Sequence, residues 1–164
     1  MRTAIAADGD AIGEVEVETW RVAYAGLLPD ETIAAFDAEP RKQMWREGLS
    51  REHKPGTAIF AAEDDGKVVG FTWVGACRDE AASAELYAIY LHPASWGTGA
   101  GRLLLERAEE SMRESGFDRA LLWMLDGNER GARFYRAAGW VEDGSKVAEF
   151  AGVETVQVRY RKRL

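Results

Sequence analysis

Three glycines spaced two apart, Gly97, Gly99 and Gly101, sit between an apolar run and an amphipathic one, and this junction constrains the fold more than any other stretch of the chain. Upstream, Leu86 to Leu91 is apolar and aromatic and reads as a buried strand. Downstream, Arg102 to Ser115 carries Leu104, Ala108 and Met112 at helical spacing, so the glycines open a helix out of a strand. A loop without Cβ atoms lets its backbone come close to a ligand, and the first helical turn offers N–H groups that no carbonyl within the helix accepts. Such a junction holds anions, and a polyphosphate suits it well. The plainer reading of the same residues is a helix-opening turn without a ligand. The spacing matches neither the dinucleotide fingerprint Gly-x-Gly-x-x-Gly nor the phosphate loop ending in Gly-Lys-Ser/Thr.

A second strand-to-helix junction follows. Leu121 to Leu125 reads as another buried strand and leads through Asp126-Gly127 to Asn128 and a short helix holding Ala132, Phe134, Tyr135 and Ala138, which Gly139 ends. On structure alone, Asn128 is a helix N-cap and Tyr135 a core aromatic with a hydrogen-bonded hydroxyl.

Together these stretches, covering roughly residues 84 to 141, resemble the GNAT superfamily of N-acyltransferases. Trp96 to Gly101 is similar to its acyl-CoA pyrophosphate loop, Arg/Gln-x-x-Gly-x-Gly/Ala, with Trp96 at the first position and Thr98 where many members carry Arg or Lys. The string Asn128-x-x-x-Ala132-x-Phe134-Tyr135-x-x-x-Gly139-Trp140 is similar to the superfamily's other signature. The resemblance implies a fold in which the fourth and fifth strands, Glu85 to Leu91 and Ala120 to Leu125, splay apart and acyl-CoA inserts its pantetheine between them. By the same resemblance, the cofactor-binding residues are Ile89, Leu91, Trp96, Gly97, Thr98, Gly99, Ala100, Gly101, Arg102, Asn128 and Tyr135. Arg102 would supply the charge missing from Trp96 and Thr98. An N–H near Leu91 would face the thioester carbonyl oxygen, where a preorganised donor is worth about 2.7–4 kcal/mol.

The implied activity is an acetyl-CoA-dependent N-acetyltransferase moving an acetyl group to a primary amine, of a small molecule or a peptide, by direct attack in a ternary complex. Two other readings stand beside it: a transferase using a longer acyl-CoA or a hydroxyl acceptor, and a catalytically silent CoA-binding or regulatory module. The reaction needs a neutral amine. A lysine-like amine of pKa about 10.4 is neutral in only about one molecule in two to three thousand at pH 7, a handicap near 4.6 kcal/mol. Glu85 stands where several superfamily members carry a general-base glutamate; it also reads as a strand-edge carboxylate, solvated or paired with Arg. Tyr135, a phenol of pKa about 10, matches the thiolate it would protonate and is the candidate general acid. Trp20, Tyr24, Trp73 and Tyr87 are candidates for the acceptor pocket, with Trp20 and Tyr24 four apart on one helix, though they read equally as core.

Composition restricts the partners. With 46% hydrophobic and 30% charged residues, the chain is ordinary for a soluble globule and is expected to form one domain over residues 1–164. A net charge of −7 argues against nucleic-acid binding and against docking on an anionic membrane, and favours a cationic acceptor. Cys77 is the sole cysteine and no apolar leader follows Met1, so the cytoplasm is the expected compartment. His53 and His92 lack the paired spacing of a metal site, and no metal is expected. A homodimer is possible from the resemblance.

Along the chain, the pattern predicts a first strand over residues 3–7, a helix capped by Asp8, and a helical stretch from Pro29 that breaks near Pro40 and resumes to Leu49. Strands follow at residues 57–62 and 67–76, joined by the hairpin signal Asp65-Gly66, with short closing strands near residues 140–142 and 153–160. The predicted architecture is α/β (α+β): a mixed, mostly antiparallel central sheet of about seven strands with one splayed parallel pair and about four helices on both faces.

Overall fold

The computed structural model describes residues 1–80 and 82–164. Among the described residues seven strands form one sheet in the order β1-β2-β3-β4-β5-β7-β6. They are β1 (Arg2–Thr3), β2 (Ala58–Asp64), β3 (Lys67–Ala76), β4 (Ala84–Leu91), β5 (Arg119–Leu125), β6 (Val141–Phe150) and β7 (Val153–Arg163). Neighbours are antiparallel except β4 and β5. The helices are α1 (Gly9–Ala23), α2 (Asp30–Ala35), α3 (Ala38–Leu49), α4 (Ala100–Glu114) and α5 (Glu129–Ala137). The expected mixed sheet with helices on both faces is therefore present, with five α-helices among the described residues where about four were expected.

Side-chain alternation along the strands sorts the core into two sides. On one, Val74, Leu86, Ala120 and Leu122 pack with Leu105, Ala108 and Met112 of α4 and with Trp140 and Tyr160. On the other, Ile59 and Phe71 meet Ile12, Val15 and Trp45 of α1 and α3, while Leu125 meets Trp20, Tyr24 and Leu28. Glu16 pins α1 to α3 from inside: its buried carboxylate accepts from Arg41 at 2.7 and 2.9 Å and from the Trp45 indole at 2.7 Å.

Local chemistry explains where the elements differ from expectation. The first strand stops at Thr3 because the chain turns through a 3-10 helix at Ala6–Asp8. The Asp8 carboxylate accepts the Ile5 N–H at 2.8 Å and binds Arg2 at 2.6 and 2.7 Å. Asp8 thus closes that turn and makes no capping bond to α1. Pro40 does not break a helix; it lies in the first turn of α3, where its missing N–H is no loss, and the break falls at Phe36 and Asp37. β6 runs on to Phe150 instead of ending near residue 142, because Asp143-Gly144 is absorbed as a bulge against β7. The hairpin turn that follows is Ala151-Gly152, with φ of 53° and 78°.

The two strands that frame the cavity are held from outside. β4 pairs with β3 over seven positions, and β5 with β7 over seven. Between themselves β4 and β5 share only Ala84↔Ala120 and Glu85↔Leu121 before they part. Tyr87 is an unopposed extra residue on β4, since Trp73 faces Ala88 while Val74 faces Leu86. A bulge of this kind bends its strand and increases the local twist. Here it coincides with the point where β4 leaves β5.

The far side of β5 is tied down by a buried ionic contact. Glu109 of α4 accepts the Trp140 indole N–H at 2.9 Å and the Lys162 ammonium at 2.7 Å, and that ammonium also donates to the Ala138 carbonyl at 2.7 Å. Removing one partner of such a pair strands the other in a mostly dehydrated site. Glu109→Ala is therefore expected to lower stability by about 3 kcal/mol in urea unfolding. Arg113→Ala, which removes a half-exposed partner 3.5 Å from the same carboxylate, should cost less than about 1 kcal/mol.

Candidate active site

The parting of β4 and β5 opens a cavity of about 450 Å3. Its walls are β4 from Leu86 to Leu91, Trp123 and Met124 of β5, the loop and first turn of α4, the start of α5, and Thr19, Ala23 and Tyr24 of α1. Backbone groups rim the gap. His92 donates its N–H to the Val69 carbonyl at 2.8 Å, so strand alternation turns the N–H groups of Leu91 and Ile89 away from β3 and into the gap. On the other side, Asp126 donates to Val156 at 2.9 Å, which turns the backbone of Trp123 and the N–H of Leu125 toward β4. Buried backbone groups without partners are costly, so a gap rimmed this way is suited to an extended ligand carrying amides.

Trp96 closes the wide end of the gap. Its indole donates to the Leu91 carbonyl at 2.7 Å, leaving the Leu91 N–H as that residue's free group. Beyond it, Gly97 and Gly99 adopt φ of 81° and 93°, the left-handed region, and Gly99 sits at the N-cap of α4. A Cβ at either would meet open space, so these glycines are required by backbone conformation and not by crowding. Gly101 is different: inside the helix, its Cβ would make ordinary contact with Phe134 and Leu91. The N–H groups of Gly97, Thr98, Gly99, Gly101 and Arg102 have no hydrogen-bond partner among the described residues, and that of Ala100 has only a long contact of 3.4 Å to the Thr98 hydroxyl. A run of free donors at a helix start is an anion site of the kind the glycine spacing predicts.

Three phenols meet at the inner end. The hydroxyls of Tyr24 and Tyr90 lie 3.2 Å apart. Tyr135 reaches the cavity from α5, and its hydroxyl has no hydrogen-bond partner among the described residues. Burial raises the Tyr135 phenol well above its ordinary pKa, with a smaller contribution from Tyr24. Burial, and then the Glu16 carboxylate, push Tyr90 up to about 12. These phenols stay protonated at neutral pH.

Of the residues the sequence singled out, Ile89, Leu91, Trp96, Gly97, Gly99, Gly101, Arg102, Asn128, Tyr135, Tyr24 and Tyr87 line this cavity. Asn128 also caps α5, its Oδ1 accepting from the Gly131 N–H at 3.0 Å. Thr98 and Ala100 belong to the loop without lining the cavity, and the Thr98 hydroxyl turns back to the Ser95 carbonyl at 2.8 Å. Trp20 and Trp73 do not line this cavity: Trp20 stacks on Phe36 at 3.7 Å, and Trp73 meets Trp45 and Tyr87 edge-on. Glu85 lies next to the lining residue Leu86, at the closed end of the gap, with its carboxylate held by Arg78 at 2.9 Å. Among the described residues no carboxylate or imidazole lines the cavity. Arg102 lines it but donates to Glu106 at 2.7 Å. Two cations that the sequence reading did not single out, Arg130 and Arg133, line it as well; their signal was the three-residue spacing on a short helix beginning after Asn128. Among the described residues no helix is long and apolar enough to cross a membrane.

Comparison with known proteins agrees with this geometry. Residues 16–140 match the model of the acetyltransferase (GNAT) family. The chain is 32% identical to the uncharacterized N-acetyltransferase YuaI of Bacillus subtilis over 131 residues, 78% of this chain and 72% of that protein. Among solved structures it is similar to a ribosomal-protein-alanine N-acetyltransferase from Brucella melitensis, with 27% identity, a TM-score of 0.75, and 99% and 98% of the two chains covered. The fold is also shared with the PaiA N-acetyltransferase of Thermoplasma acidophilum, solved in complex with coenzyme A, at 24% identity, a TM-score of 0.72 and 99% and 97% coverage. With the family match spanning most of the chain and the parted strands in place, this protein belongs to the GNAT family of acetyltransferases and has the acyl-CoA N-acyltransferase fold.

Proposed function

We propose that this acetyltransferase uses acetyl-CoA and transfers the acetyl group to a primary amine, of a small molecule or a peptide, that attacks directly in a ternary complex. The observation that carries this reading is the run of free N–H groups at residues 97–102 beside a gap lined with unpaired strand backbone. Those donors fit a diphosphate, and the gap-facing N–H groups of Leu91 and Leu125 fit the amides of a pantetheine arm. That coenzyme A is bound in the Thermoplasma acidophilum structure of the same fold supports the assignment. The Tyr24 and Tyr90 hydroxyls meet 3.2 Å apart over the packed Trp20, Leu28 and Leu125, which favours a short acyl group. The net charge of −7 favours a cationic acceptor.

Each residue then has a role. Near Leu91, the gap-facing N–H of Ile89, one step further from the glycine loop, donates to the charge that develops on the thioester carbonyl oxygen, a contribution of about 2.7–4 kcal/mol. Asn128 orients the arm that enters past α5. Tyr135 gives its proton to the departing thiolate, and its raised pKa keeps that proton in place until it is needed. Because the lining holds no carboxylate among the described residues, the amine's proton leaves through water toward Glu85, the carboxylate that borders the lining at Leu86. Tyr24 and Tyr87 flank the entry of the acceptor.

The direct test is release of thiol from acetyl-CoA with a panel of amines. At least one amine should accelerate it; protein that is thermally stabilised by acetyl-CoA yet silent toward every amine would contradict the reading. Tyr135→Phe should lower kcat about a hundredfold while leaving the acetyl-CoA Kd within about twofold, and equal rates would remove Tyr135 as the acid. In the wild type, burial holds the Tyr135 proton on while the amine loses its own. kcat/KM should therefore climb with pH and show no falling limb up to about pH 10, measurable as a rate profile. Glu85→Gln should lose most activity at low pH, where free amine is scarcest, and a ratio to wild type that is constant across pH would confine Glu85 to its pairing with Arg78.

A further inference from the structure

The chain has 16 arginines, and among the described residues 13 of them have a carboxylate oxygen within 4.0 Å. Arg130, Arg133 and Arg163 do not. In an acidic protein, where carboxylates outnumber cations 28 to 21, an unpaired guanidinium is the exception, and two of the three lie at one place, the mouth of the cavity. They are three apart on α5 and so project from one side of it. Arg130 does not range freely there. Its guanidinium carbon stands 4.1 Å above the centre of the Trp96 ring, and that ring is itself fixed by the indole bond to the Leu91 carbonyl. The glycine loop, by contrast, has no free cation of its own: Trp96 and Thr98 are uncharged, and Arg102 donates to Glu106 at 2.7 Å.

We propose that Arg130, held on the Trp96 ring, and Arg133 form a cationic clamp from α5 for the phosphates of acyl-CoA, opposite the N–H donors of the glycine loop. The inference rests on the acyl-CoA reading given above. Trp96 then has two functions: it seals the end of the strand gap through its N–H, and it presents through its face a guanidinium already fixed in orientation. A side chain fixed before binding loses less rotamer freedom when the ligand arrives, which raises affinity without a new contact. The clamp also offsets the repulsion an acidic exterior exerts on a polyanion.

Titration calorimetry with coenzyme A, on the full chain at several salt concentrations, tests the clamp. Arg130→Ala and Arg133→Ala should each raise Kd about tenfold, and both should flatten the salt dependence of binding, because a charge contact has been removed. Arg163→Ala, the third unpaired arginine, placed at the end of β7, should leave Kd unchanged. Both clamp side chains are exposed, so the melting temperature of each variant should match the wild type, which separates lost binding from lost folding. Arg130→Ala and Arg133→Ala variants that bind coenzyme A as tightly as wild type, with the same salt dependence, would overturn the clamp alone. A wild-type protein that takes up no coenzyme A would overturn the acyl-CoA reading and the clamp with it.

Discussion

The parting of two parallel neighbours governs this structure. β4 and β5 pair at only two positions, yet neither strand is loose, since β3 holds one and β7 the other over seven positions each. The outer ladders therefore fix the gap, and backbone groups that a sheet would normally pair inwardly are left facing it. Every other feature of the site is arranged around that unfilled place. The loop after β4 delivers Trp96 and the glycines to its wide end, and the turn after β5 delivers Asn128, Arg130 and Tyr135 to its flank.

Charge is distributed to match. Most arginines are neutralised by the abundant carboxylates, and the structural ion pairs at Arg2–Asp8, Arg41–Glu16 and Lys162–Glu109 pin elements together. The cavity contains the opposite arrangement: free N–H dipoles and unpaired guanidiniums at its mouth, and only protonated phenols at its inner end. An anion is favoured outside and a neutral, dehydrated reacting centre inside, which is the polarity needed when an amine must react uncharged.

Much of this was legible in the sequence because it is local. The glycine spacing announced a strand-to-helix junction, and the positive φ values at Gly97 and Gly99 are what those glycines are for. Asp65-Gly66 announced its hairpin, with φ of 47° and 74°. What escaped depends on partners far along the chain or on atypical turns. Ala151 takes a left-handed conformation that its residue type does not advertise, so β6 was expected to be short. Asp8 looked like a helix cap, but its carboxylate was claimed by Arg2 and by the Ile5 N–H. Glu85 bonds to Arg78 across a loop, and Trp20 and Trp73 pack against aromatic rings from other elements, so no local pattern could separate pocket from core. The clamp arginines were invisible for the same reason: their lack of partners is a property of the folded surface.

Amide hydrogen exchange followed by mass spectrometry, with and without acetyl-CoA, probes the unfilled place in the sheet most directly. A pantetheine lying between the parted strands predicts slower exchange at residues 89–91, 97–102 and 123–125, with β2 and β3 unaffected. Saturating acetyl-CoA that leaves those amides as exposed as in the free protein, or that protects only segments elsewhere, would contradict it.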